Sequence, residues 1–268
     1  MPQIVRDIFE DYCKETFNQK DVIAVNNGTS ALIAPLWSMD LQPDDEVITT
    51  PFTFIATSNS ILISGGKPVF VDISEDDYLI DVDKIEGAIT EKTKAIIPVH
   101  LYGRACNMDR IMEIADKHNL VVIEDTAQAF GAEYNSKMLG TIGDAGTFSF
   151  YKTKNISTFE GGMITIPHHS KLDSDKIRSI TDQGQVGRYN HEYVGYNFRL
   201  TEPVCLISVS QMKIHMIGIK AELGIRGPAQ GHYPNVVYDQ PAYKRLGITG
   251  DCPIAEAVAA EIKEKTSK

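Results

Sequence analysis

The chain has 268 residues, more than one average domain and fewer than two, and its 43% hydrophobic and 23% charged content excludes a disordered, collagenous or fibrous protein. The length is ample for a sizeable core. With 26 Lys and Arg against 36 Asp and Glu the net charge is −10, which argues against a general nucleic-acid binder. It does not argue against a phosphate ligand, which backbone amides at a helix start can hold without net charge.

In chain order, residues 3–18 read as an amphipathic helix, and the charges spread through MPQIVRDIFEDYCKETF exclude a signal peptide. Short β-branched runs then recur: VIAVN (22–26), EVITT (46–50), KPVFVDI (67–73), AIIPVH (95–100), VVIED (121–125), GTFSFY (146–151) and MITI (163–166). Between the first five lie helical stretches, best placed at 28–38, 53–63, 82–90 and 107–118. Nearly continuous apolar strands alternating with helices predict an α/β protein whose mostly parallel sheet is covered on both faces. Residues 170–198 are polar and rich in Gly, Tyr and Asn, which predicts a long loop. Thr201 is the expected N-cap of a helix running to about Leu223, with Pro203 tolerated in its first turn. A Gly/Pro break (224–234), a tyrosine-containing stretch and a final helix over 252–266 complete the chain. No run approaches ~18 apolar residues, so no membrane span is expected. Cys13, Cys106, Cys205 and Cys252 form no C-x-x-C, and a reducing, cytoplasmic setting is the expectation.

Several residues could carry chemistry. Asn27-Gly28-Thr29-Ser30 sits where a strand hands over to a helix, a junction that aims free N–H groups and the positive end of the helix dipole at one spot; a plain N-cap with a flexible turn explains it as well. Asp125 ends an apolar strand, where α/β sheets place ligand groups, and a carboxylate there can keep a ring nitrogen protonated; capping of the next helix is the alternative. Lys154 and Lys152 lie between two strands, where a shielded lysine loses its proton readily and can act as a Schiff-base amine, and position alone does not choose between them or exclude two solvated surface groups. Glu160-Gly161-Gly162 suggests a close backbone approach or a turn. His168-His169 lacks a third ligand at suitable spacing, so no metal is expected, and Glu75-Asp76-Asp77 lacks the glycine and distal glutamate of a calcium loop. Taken together, a phosphate cup, an aspartate and a lysine in that order on an α/β scaffold are the equipment for pyridoxal 5′-phosphate.

From Val22 to Leu223, and weakly again after Gly231, the sequence resembles the DegT/DnrJ/StrS sugar aminotransferases, through NNGTSAL, DDEVITTPFTFIAT, GGKPVFVDI, TKAIIPVHLYG, VVIEDTAQAFGA, FSFYKTKNISTFEGGMITI and VGYNFRLTE. The resemblance implies a fold-type I pyridoxal-phosphate transferase large domain over 1–224, a three-layer α/β/α unit with a mostly parallel seven-stranded sheet, and a remnant of a C-terminal small domain over 225–268. It implies that Lys154 rather than Lys152 binds the cofactor aldehyde, that Asp125 meets the pyridine nitrogen and that Gln128 stands near the phenolic oxygen. Thr29, Ser30 and Ser149 would contact the phosphate, Phe54 would stack on the ring, and Asn197 would reach the phosphate of a neighbouring copy in a homodimer. The implied reaction moves an amino group from L-glutamate to a keto-sugar on a nucleotide carrier, in amino-sugar and polysaccharide biosynthesis. A lysine at 154 speaks against the related dehydratases, which carry histidine there.

The sequence departs from the family's pattern in places. Lys152 stands where proline or a small residue is common, Phe159 where glycine is common, and TEPVCLISVSQM replaces the usual TEIQAAIGLVQL. From about Leu223 the chain passes to GHYPNVVYDQPAYKRLG, which resembles a piece near the end of the small domain, so the body of that domain is expected to be missing. A chain of this kind that folds and binds cofactor without transamination is the competing expectation; a cyclitol aminotransferase is a third.

Overall fold

A computed structural model describes residues 4–216 and 232–266. Helix α1 (Ile4–Phe17) leads into β1 (Asp21–Val25), and β1 into α2 (Gly28–Ser38). Then come β2 (Glu46–Thr49), α3 (Ala56–Ile63), β3 (Lys67–Phe70), the short α4 (Val82–Ile85), β4 (Thr93–Ile97), α5 (Met108–His118) and β5 (Val121–Asp125). A two-stranded ribbon of β6 (Glu133–Tyr134) and β7 (Lys137–Met138) precedes β8 (Ala145–Ser149) and β9 (Gly162–Ile166). The remainder holds α6 (Ser174–Thr181), a small hairpin of β10 (Gln185–Gly187) and β11 (Asn190–His191), α7 (Glu202–Met216), α8 (Pro241–Arg245) and α9 (Pro253–Thr266).

Seven strands form one sheet in the order β1-β9-β8-β5-β4-β2-β3. Only β9 runs against its neighbours, pairing antiparallel with β1 and β8, so the sheet is mostly parallel. The pleat explains why the strands read as unbroken apolar runs: successive side chains enter opposite faces, and both faces are covered. Ile23, Val25, Val47, Ala95, Ile97 and Ile123 pack with α2 and α6 on one side. Their neighbours Ile48, Ile96 and Val122 pack with α5 and α9 on the other, where Val22, Ala24, Phe148 and Met163 join α1 and α7. The three-layer architecture expected from the sequence is therefore the one observed.

The expected long loop over 170–198 is corrected: it contains α6 and the β10–β11 hairpin. Asp173 caps α6 by accepting from Asp175 and Lys176 N–H at 3.0 and 3.3 Å, and Ile177 and Ile180 bury one stripe. Eight residues with two apolar positions are too few for a period to show. The strand expected over 95–100 ends at Ile97 because Pro98 has no N–H to donate. The helix end near Leu223, most of the 224–234 break and the boundary between 224 and 225 lie outside the described residues.

Residues 232–266 pack directly on the sheet. Val236, Tyr238, Cys252, Ala255 and Ala259 share one buried cluster with Ile48, Phe52, Val71 and Ile73. Asp72 caps α9 by accepting from Ile254 and Ala255 N–H at 3.0 and 2.9 Å, and Tyr243 Oη donates to Asn59 Oδ1 at 2.8 Å. Val237 N–H reaches Pro51 O at 3.0 Å, which leads the chain toward the ends of the parallel strands.

Candidate functional site

The site lies where β1, β5 and β8 end. At the β1–α2 junction the Asn27 Oδ1 accepts the Ser30 N–H at 2.8 Å and the Asn27 carbonyl accepts that of Ala31. The N–H groups of Gly28 and Thr29 have no intrahelical acceptor and point with the positive helix end, whose first turn carries no acidic side chain. Ser149, the last residue of β8, lies against this turn: a Cβ on Gly28 would sit 2.7 Å from the Ser149 Cβ. A Cβ on Gly162 would sit 2.5 Å from the Phe148 carbonyl and 2.8 Å from Asn27, so the Gly161-Gly162 pair does mark a close backbone approach. Thr29, Ser30 and Ser149 are thus gathered at one helix start.

Asp125 ends β5 and is 5% exposed. Its Oδ2 accepts from Thr57 Oγ1 at 2.8 Å and its Oδ1 from the Ala127 N–H at 3.2 Å. Burial pushes this carboxyl above its ordinary range, against the restraining bonds from Thr57 and Ala127 and the charge of Lys154. Lys154, on the segment between β8 and β9, is half-buried, and burial pulls its ammonium below the ordinary lysine range while the Asp125 charge pulls it back up. Lys152 is exposed, with its Nζ 5.7 Å from the Tyr151 ring centre. Of the two lysines, Lys154 is the half-buried one whose charge acts on Asp125, while Lys152 lies exposed against Tyr151.

Phe54 precedes α3 and is 59% exposed, and the first turn of α3 carries Thr57 back to Asp125. Gln128 Nε2 donates to Tyr233 Oη at 2.9 Å, and its Oε1 accepts the Tyr102 N–H at 3.4 Å. Tyr102 Oη in turn donates to the His232 carbonyl. Burial pushes the Tyr233 phenol above its usual range, and the Asp125 charge acts in the same sense. Asn197 stands apart from this cluster, exposed at the rim of a cavity of about 470 Å³ that also involves Asn26, Arg199 and Thr201, with its backbone carbonyl accepting from Asn26 Nδ2 at 3.4 Å.

Sequence reasoning missed Thr57, Tyr102, Tyr233 and the buried pair His100–Glu124 beneath Asp125. The recurrence of Thr57 three residues after Phe54 at a helix start was a usable signal; nothing local marked Tyr233. His169 Nε2 bonds the carbonyls of Ile142 and Gly143 at the far end of the sheet, and among the described residues no group of three or more His, Cys, Asp or Glu could hold a metal ion. Asp77, in the acidic run, caps its own turn through the Leu79 N–H.

The sequence profile of the DegT/DnrJ/EryC1/StrS aminotransferase family matches residues 5–220. GDP-perosamine synthase of Caulobacter vibrioides is 45% identical over 210 residues, covering 76% of this chain and 54% of that protein. The aminotransferase from Psychrobacter cryohalolentis superposes with a TM-score of 0.74 at 39% identity, over 80% of this chain and 57% of that one. A DegT DnrJ EryC1 StrS aminotransferase from Brucella abortus gives a TM-score of 0.83 at 27% identity, over 97% of this chain and 83% of that one. The chain spans about half the length of the curated relatives it matches.

Proposed function

Since the chain belongs to the DegT/DnrJ/EryC1/StrS aminotransferase family, we propose that it is a pyridoxal 5′-phosphate-dependent aminotransferase that moves an amino group from L-glutamate to a nucleotide-linked keto-sugar. The observation that carries this reading is the gathering of Thr29, Ser30 and Ser149 at a helix start free of acidic side chains, with buried Asp125 at the end of β5, the strand paired with β8.

The residues present fit the cofactor. The Gly28 and Thr29 N–H groups with the Thr29, Ser30 and Ser149 hydroxyls would hold its phosphate, Asp125 its ring nitrogen, Gln128 its phenolic oxygen and Phe54 a ring face. When bound, the group supplies an aldehyde and an electron-withdrawing ring. The chain's own contribution follows from burial. Burial makes the Lys154 ammonium give up its proton more readily than an exposed lysine does, so its Nζ could take a proton from the substrate's α-carbon and return it. Asp125, with Thr57 and the Ala127 N–H donating to it, would keep a proton on a ring nitrogen opposite it, the positive ring in turn favouring the ionised carboxylate.

The active form under this proposal is a homodimer located in the cytoplasm. Asn197 is exposed, as a residue serving a neighbouring copy must be, and the large apolar side chains Tyr189, Val194 and Phe159 are all more than 70% exposed. Residues 225–268 are proposed as the remnant of a small domain beside a cofactor-binding unit over 1–224. A second reading is a protein that binds the cofactor without transamination. Borohydride trapping with peptide mapping separates the possibilities. A pyridoxyl label on Lys154 that disappears after incubation with glutamate supports the enzyme, a label that persists supports the second reading, and a label on Lys152 or none refutes both.

A further inference from the structure

Glu124 and His100 take no part in the chemistry just described, yet both side chains are 0% exposed. Glu124 Oε1 accepts the N–H groups of Ile142 and Gly143 at 2.7 and 2.8 Å, and Oε2 accepts that of Gly140 at 2.8 Å together with His100 Nε2 at 3.0 Å. The Cys106 N–H donates to His100 Nδ1 at 3.2 Å, which puts the ring proton on Nε2 and makes that nitrogen the donor to Glu124. One carboxylate thus ties the 100–106 and 140–143 segments to β5.

The next residue along β5 is Asp125, and His100 grips that residue too: its N–H donates to the Asp125 carbonyl at 3.0 Å, while the Asp125 N–H reaches Pro98 O at 2.9 Å. Alternation along the strand sends Glu124 to one face of the sheet and Asp125 to the other. The 100–106 segment also holds Tyr102, at φ +55°, whose N–H meets Gln128 and whose hydroxyl meets the His232 carbonyl beside Tyr233. Stability alone is a poor explanation for a buried carboxylate, because well-packed apolar residues of similar volume hold a core as well or better. A fully satisfied buried polar network does something an apolar core does less well, which is to select one arrangement of the segments it joins.

We propose that Glu124 and His100 are positioning residues, which fix the Asp125 peptide and the Tyr102–Gln128 contact in register through one hydrogen-bonded hub. This role rests on the Asp125–Lys154 cleft being the working site. It is tested by amide hydrogen exchange on the cofactor-free protein, compared in wild type, Glu124→Gln and His100→Gln, together with the visible circular dichroism of added pyridoxal 5′-phosphate. In Glu124→Gln, exchange is expected to accelerate at least tenfold at 100–106, 125–128 and 140–143, with the β1 and β9 amides unchanged. In His100→Gln the first two segments accelerate and 140–143 stays protected, and in both variants the visible band of bound cofactor changes shape or intensity. Unchanged exchange at 125–128, a uniform rise across the sheet, or a wild-type visible band in both variants overturns the proposal. If the wild type binds no pyridoxal 5′-phosphate the functional reading falls, and the exchange pattern alone decides the role of the hub.

Discussion

Thr57→Val removes one hydroxyl from a side chain 1% exposed and changes volume little, and the loss of its contact with Thr53 Oγ1 at 3.1 Å is the same at every pH. The hydroxyl donates to Asp125 Oδ2 at 2.8 Å. A hydrogen bond to a charged group contributes roughly 1.5–3 kcal/mol, and one to a neutral group roughly 0.5–1.5 kcal/mol. The difference, about 1–1.5 kcal/mol, is the extra loss suffered by ionised Asp125, so the substitution pushes this carboxyl further up.

The direction with pH follows from the starting point. In the wild type, burial already raises the folded-state pKa of Asp125 above the ordinary aspartate value. The native state therefore binds this proton more tightly than the unfolded chain, and stability present at acid pH is lost as pH climbs from the unfolded pKa through the folded one. Thr57→Val moves the upper limit of that window higher, so its cost is smaller in acid and reaches the full ~1.5–3 kcal/mol only once the carboxyl is ionised. For a chain of this size a loss of about 2 kcal/mol lowers Tm by roughly 4–8 °C. Urea unfolding of the cofactor-free protein from pH 4 to 8, with a carboxyl-carbon NMR titration of Asp125, measures both quantities. An identical destabilisation at every pH would show that the hydroxyl serves packing alone and refute the coupling.

Three further outcomes follow from the same geometry. Asp125→Asn should abolish the fall in cofactor-free stability attributed to this carboxyl between pH 4 and 8, and should slow glutamate-dependent transamination at least a hundredfold, ~2.7 kcal/mol of barrier; unchanged half-reaction rates would contradict the assignment. Gly28→Ala puts a methyl 2.7 Å from the Ser149 Cβ and should cost roughly 1–3 kcal/mol by chemical denaturation, with Ser149→Gly recovering part of the loss in a double-mutant cycle. Phe159→Gly should stabilise by about 0.5–1 kcal/mol, since Phe159 is 77% exposed at φ +68° and relief of left-handed strain outweighs the added freedom of the unfolded chain; a lower Tm would mean that the phenyl ring makes a contact worth more than the strain.

The sheet was legible because most of its strands are buried on both faces, which writes itself as a β-branched run, with edge strand β3 the least buried. Helix α2 was legible to the residue, Gly28 to Ser38, because Asn27 is both the turn and the cap. Helix α3 begins at Ala56, three residues later than its apolar pattern suggested, since Thr50 to Phe54 form a turn whose hydroxyls bond locally, as in Phe52 N–H to Thr50 Oγ1. The antiparallel insertion of β9 leaves no mark on composition: GMITI is as apolar as its parallel neighbours. Its direction follows from the return through residues 150–161, which contains no helix to carry the chain back along the sheet for a parallel pairing.

The site divides along a similar line. Asp125 and Lys154 could be read because their positions, at a strand end and between two strands, carry meaning by themselves. Thr57 lies 68 residues from Asp125, and Tyr233 lies 105 residues from Gln128, so their roles exist only once the chain has closed. Glu124 is the instructive case, because part of its role was present in the sequence. VVIED ends a doubly buried strand with two adjacent carboxylates, and the pleat must send them to opposite faces. One can face a ligand. The other then enters covered protein, where an ionised group persists only with several donors. Asking where those donors come from leads to the glycines at 140 and 143, which bring N–H groups close without side chains in the way, and to a histidine able to donate a fourth bond. A pair of acids closing an apolar strand therefore encodes two environments, one for chemistry and one for the hub that holds it, and assigning a role to Asp125 alone left half of that information unused.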